Sequence, residues 1–124
     1  MSQENYSLFR EKLGQVLDVR SAVALMQWDQ EIYMPPKSAP MRGRQMATLS
    51  ALSHRMFTDP EMGDLLKRLS DDGGLDADQR ALVRETQYDY DRATKLPAEF
   101  VERFAEEQSR AFQAWMKARE ARDY

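Results

Sequence analysis

The chain has 124 residues, 42% hydrophobic and 31% charged, with a formal net charge of −3. That length suits one small domain with one modest core, and apolar residues recur through every long segment, which argues against disorder. The acidic balance argues against a nucleic-acid partner, which needs a basic surface to displace counterions from phosphates, and the absence of cysteine excludes a disulfide framework and fits a reducing compartment.

Five helices are predicted. The first runs from about Tyr6 to Gln27, with Phe9, Leu13, Val16 and Leu17 at helical spacing on one face. Its second half, Ala22-Val23-Ala24-Leu25-Met26, is apolar on every side and is expected to lie deeper than its start. This is also the longest apolar run, far short of the ~20 residues that span a bilayer. The polar Met1-Ser2-Gln3-Glu4-Asn5 start has no secretory signal pattern, so a soluble cytoplasmic protein is expected.

Pro35-Pro36 and Pro40 interrupt the helical pattern, so the segment from Trp28 to Ala39 is expected to be a loop. A second helix is predicted from about Met41 to Phe57, with Met46, Leu49, Leu52 and Met56 on one side. A third starts at Thr58-Asp59-Pro60-Glu61 and runs to about Leu69. Thr58 with Glu61 has capping-box spacing, while Asp59 with Pro60 suits an N-cap followed by a first helical residue. Asp71-Asp72-Gly73-Gly74 reads as a turn. Asp76, with Gln79 three residues on, caps a fourth helix whose thin stripe is Leu82, Thr86 and Tyr90.

Leu96-Pro97 ends the fourth helix and starts a fifth. There Val101, Phe104, Ala111, Trp115 and Ala118 follow heptad-like steps, which predicts a long helix laid against another. No Gly, Asn or Pro stop signal precedes Tyr124. The expectation is an all-α chain, an antiparallel bundle-like array without a sheet, belonging to a larger protein.

Little in these residues points to catalysis. His54 is the single histidine, too few for a zinc site or a supported Ser-His-Asp triad, and is expected to be an ordinary surface or half-buried residue. No catalytic or metal-binding residue is assigned. The segment Trp28-Asp29-Gln30-Glu31-Ile32-Tyr33-Met34-Pro35-Pro36 carries the best local signal, because Trp28 or Tyr33 beside Asp29 and Glu31 is a setting that suits proton transfer. The simpler reading is structural: the carboxylates satisfy backbone amides, and Trp28 and Met34 plug the junction between the first two helices. Tyr88-Asp89-Tyr90-Asp91 points in several directions on a helix and reads as a mostly solvated face. Met26, Met41, Met46, Met56, Met62 and Met116 read as core filler.

Leu25-Met26-Gln27-Trp28-Asp29-Gln30-Glu31-Ile32-Tyr33-Met34-Pro35-Pro36 resembles the N-terminal signature of the carboxypeptidase Taq family of metallocarboxypeptidases. Arg44-Gln45-Met46-Ala47-Thr48-Leu49, Phe57-Thr58-Asp59-Pro60-Glu61-Met62-Gly63, Lys95-Leu96-Pro97, Trp115-Met116-Lys117-Ala118-Arg119 and Asp123-Tyr124 resemble its later segments in the same order. The resemblance implies a parent several times longer, mostly helical and grooved, commonly homodimeric. It implies zinc, replaceable by cobalt, held by a His-Glu-x-x-His helix and a downstream glutamate that this chain does not contain.

By that resemblance, residues 1–124 are a single N-terminal helical lid region of a peptidase that releases C-terminal residues from peptides. Their partners are the rest of the peptidase chain, a second copy and, in the parent, the peptide substrate. Trp28, Asp29, Glu31, Tyr33, Met34 and Pro35 are the signature residues expected to be structural or groove-lining. The alternative is a free-standing helical interaction or dimerisation module.

Overall fold

The computed structural model describes residues 2–122. Their elements are α1 (Ser2–Ile32), a 3-10 turn (Pro36–Ser38), α2 (Ala39–Phe57), α3 (Pro60–Ser70), α4 (Ala77–Ala93) and α5 (Ala98–Ala121), with no strand among them. The Asp123-Tyr124 pair of the resemblance lies outside these residues.

α1 is a spine of 31 residues, about 46 Å long at the α-helical rise. α2 and α3 run back along it end to end. Asp29 pairs with Arg42 near one end of the α1–α2 contact, and the Arg20 guanidinium lies 5.0 Å from the Phe57 ring centroid near the other, so α2 is antiparallel to α1. Lys12 and Glu61 join α1 to α3 at 3.0 Å. α4 returns along α3, and α5 returns along α2. Gly43 faces Ser109, and His54 reaches the Leu96 carbonyl, which fixes the α2–α5 pair as antiparallel.

Local chemistry sets the boundaries. Asp59 caps α3 by accepting from the Glu61 amide, with Pro60 first in the helix; Thr58 instead donates its hydroxyl to the His54 carbonyl at the end of α2. This resolves the two capping readings in favour of Asp59. Asp76 and Gln79 form a reciprocal capping box at α4. Pro97 is the N-cap of α5 rather than part of its first turn, and α5 closes with Arg122 in the left-handed region (φ 55°).

The main core sits around the first half of α1. Phe9 and Val16 meet Phe57, Met62, Leu66, Leu69, Leu75 and Val83, with Tyr6, Leu13, Leu82 and Tyr90 packed at its edge. The expectation that the second half of α1 lies deeper is overturned: Leu25 is 65% exposed, while Phe9 is fully buried. α3 and α4 close over the first half, whereas the outer side of Ala22-Met26 meets no other described helix. Leu17 and Leu52 are likewise more exposed than their spacing suggested, and Met41 is exposed rather than core filler.

The α5 stripe also needs correction. Phe104, Ala111 and Trp115 face outward, and α2 packs instead on the side carrying Val101, Ala105, Ser109, Phe112 and Met116. The inner set keeps the 3.6-residue step of a straight helix; the heptad-like set drifts off that contact line. A long helix does lie against another, on a different face.

Candidate functional site

The signature segment is helical for longer than its prolines suggested. α1 continues through Ile32, and the Tyr33 and Met34 amides both donate to the Asp29 carbonyl, each at 2.9 Å. A proline restricts the residue immediately before it, here Met34, and leaves residues farther back free to stay helical. Trp28 to Ile32 are therefore the last turn of α1, and the break falls at Met34-Pro35. The Ser38 amide then donates to the Pro35 carbonyl, closing the 3-10 turn that leads into α2.

Being helical, Asp29 and Glu31 stand about 200° apart around the axis. The structure does not bring them together. Asp29 accepts from the Arg42 guanidinium at 2.9 Å, and the same guanidinium nitrogen reaches the Met26 carbonyl at 2.9 Å. Arg42 thus pairs with an acidic side chain and donates to an α1 carbonyl together, tying the α1–α2 corner. Glu31 points the other way, onto a shallow groove of about 660 Å³ lined also by Phe112, Trp115, Met116, Arg119 and Glu120. The Arg119 guanidinium lies 5.3 Å from the Trp115 ring centroid, within cation–π range.

Trp28 does not plug the helix junction. It is half exposed and meets Tyr33 edge-on, with ring centroids 5.5 Å apart. Tyr33 and Pro35 are exposed, and Met34 is half-buried. The buried residue of this segment is Gln30, whose side-chain amide donates to the Ser109 hydroxyl of α5 at 2.9 Å with both residues buried. Sequence reasoning missed Gln30, Arg42 and Ser109. An apolar stripe argument assigns no value to a polar residue, and this pairing spans 79 positions.

A second groove, of about 520 Å³, runs between α5 and the start of α2, with Lys37, Arg44, Arg110 and Lys117 among its lining residues. His54 is half-buried, and its Nε2 lies 2.7 Å from the Leu96 carbonyl, a bond in which Nε2 carries the proton. It pins the α4–α5 link to α2. Tyr90 packs edge-on against Phe57 while Tyr88 is exposed, as residues two apart on a helix should be.

No three His, Cys, Asp or Glu side chains converge on a common point among the described residues, so these residues do not fit a metal site. No described helix is long and apolar enough to cross a membrane. The site holds helices together and lines two surface grooves.

Comparison with known proteins places this architecture. Residues 8–124 match the model of the carboxypeptidase Taq (M32) metallopeptidase family. The chain is 34% identical over 104 residues to thermostable carboxypeptidase 1 of Thermus thermophilus, a match covering 82% of this chain and 20% of the relative. It is 27% identical over 113 residues to thermostable carboxypeptidase 1 of Pyrococcus furiosus, covering 91% and 23%. A solved structure described as "The Structure of CHT" superposes with a TM-score of 0.74 at 43% identity, covering 98% of this chain and 24% of that one. The chain therefore spans about a fifth to a quarter of the length of the relatives it matches. It belongs to the carboxypeptidase Taq (M32) metallopeptidase family.

Proposed function

We propose that residues 1–124 are the N-terminal helical lid region of a zinc-dependent carboxypeptidase that releases C-terminal amino acids from peptides in the cytoplasm. The carrying observation is the family match over residues 8–124, by a chain that covers only 20% and 23% of the two thermostable carboxypeptidases. In this reading the metal, zinc or cobalt in its place, is held by residues of the longer protein. The segment's work is to shape and restrict the substrate groove. Its contribution comes from the exposed second half of α1 and the Trp28–Tyr33 pair, which offer apolar surface to neighbouring structure.

Hydrolysis of a blocked dipeptide by the 124-residue chain and by the product of the uninterrupted reading frame, each with zinc or cobalt, tests this. Turnover is expected from the longer protein alone. Tight stoichiometric zinc binding with turnover by the short chain would overturn it.

A second reading, a free-standing dimerisation module, is favoured by the outward face of α5. Phe100, Phe104 and Trp115 are exposed there, and the two phenylalanine rings stack 6.1 Å apart. That reading requires dimers in light scattering that Phe104→Glu with Trp115→Glu dissolves, and a reading frame that stops at Tyr124. A continuation carrying His-Glu-x-x-His sinks it.

A further inference from the structure

The groove between α5 and the start of α2 departs from the charge of the molecule. The chain as a whole carries 21 acidic and 18 basic residues. The groove is lined by Lys37, Arg44, Arg110 and Lys117, with Glu106 the only carboxylate lining it among the described residues. Glu106 is already engaged: Arg110 bridges it at 2.6 Å and Glu107 at 2.5 Å. Lys37, Arg44 and Lys117 make no ion pair among the described residues. Gathering like charges around one concavity raises its potential, and that potential is relieved when an anion enters.

One further observation points into the same groove. Ser109 lines it and is 94% buried, being 6% exposed. Its oxygen accepts from Gln30, and among the described residues its own hydrogen has no acceptor. A hydroxyl supplies one donor besides its acceptor sites, so this donor is available to a ligand.

We infer that this groove binds a small multivalent anion, bearing phosphate or carboxylate groups, on Lys37, Arg44 and Lys117, with the Ser109 hydroxyl donating from its floor. The concavity of about 520 Å³ is of small-ligand size. Gly43 keeps the floor open, since a side chain there would sit against Ser109. The site is separate from the proposed peptidase chemistry and stands whether or not that reading holds.

Calorimetric titration of the 124-residue chain with inorganic tripolyphosphate and with citrate, at low and high salt, tests it. Saturable binding that weakens with salt is expected. Arg44→Glu with Lys117→Glu should weaken it by about tenfold or more, as loss of charge complementarity does. Lys67→Glu, on the exposed side of α3, should leave it unchanged. If the double variant loses its circular-dichroism helicity, Lys37→Glu replaces it with the same expected direction. Preference between the two anions separates phosphate from carboxylate recognition. Absence of saturable binding, or equal weakening by Lys67→Glu, overturns the inference.

Discussion

Gln30 donates to Ser109 across 2.9 Å, a bond between α1 and α5 that is buried at both ends. It ties the two outer layers of the bundle past α2. Removing the acceptor leaves a buried amide without its partner, and that desolvation cost exceeds the modest net worth of the bond. We expect Ser109→Ala to lower unfolding free energy by about 1–3 kcal/mol in urea titrations. Gln30→Leu with Ser109→Ala should recover part of that loss, because it removes both polar groups. A double variant weaker than the sum of the singles would refute this account.

Gly43 makes the close approach of α2 to α5 possible. A Cβ there would stand 3.0 Å from Ser109 Oγ and 3.3 Å from Ser109 Cβ. Gly43→Val is expected to destabilise the chain by about 1–3 kcal/mol, the usual cost of overpacking. The measurement is the urea midpoint, and an unchanged midpoint would show that the helices part freely.

Gly63 plays the same part between α3 and α4. A Cβ would fall 2.5 Å from the Tyr90 hydroxyl and 2.9 Å from its ring Cζ, and Tyr90 is held by its contact with Phe57. Alanine for glycine inside a helix normally gains up to ~1 kcal/mol. Here Gly63→Ala should destabilise, and in a Tyr90→Leu background it should stabilise. The reversal of sign in thermal unfolding is the readout.

Tyr90 should also titrate late. Burial first, then the nearby Asp64, Asp59 and Asp91 carboxylates, raise its pKa above the ordinary 10.0. The folded chain thus keeps this proton where the unfolded chain has released it. Its contribution to stability is whole below pH 10.0 and declines as pH rises toward the folded value. An alkaline absorbance titration should show one late phenolate step that Tyr90→Phe removes.

Asp76 and Gln79 exchange hydrogen bonds at the start of α4, at 2.9 and 3.0 Å. Asp76→Ala is expected to cost about 0.5–2 kcal/mol, with Asp76→Asn milder because its side chain still accepts. Equal losses in the two variants would point to charge rather than the cap.

Much of this architecture was written in local chemistry. Asp59-Pro60, Asp76 with Gln79, the Gly73-Gly74 turn and the Leu96-Pro97 junction each act within a few residues, so the sequence located the helices to within a few positions. The family signature was legible for the same reason, as an ordered set of short segments. The helical state of Trp28 to Ile32 was not legible from composition, because the influence of a proline fades faster than a segment rich in prolines suggests.

Periodicity told which residues are apolar and on which side of a helix they sit, but not which side is covered. α5 carries two apolar stripes, and only the positions of α1 and α2 decide that Ser109 is buried while Trp115 is not. Partner choice decided the rest: Asp29 joins Arg42 rather than Glu31, and Lys37, Arg44 and Lys117 share one groove. The sequence by itself determined five helices, the Asp76–Gln79 cap and the family. Tertiary structure alone decided the buried faces and the grooves, because burial and field depend on neighbours distant in the chain.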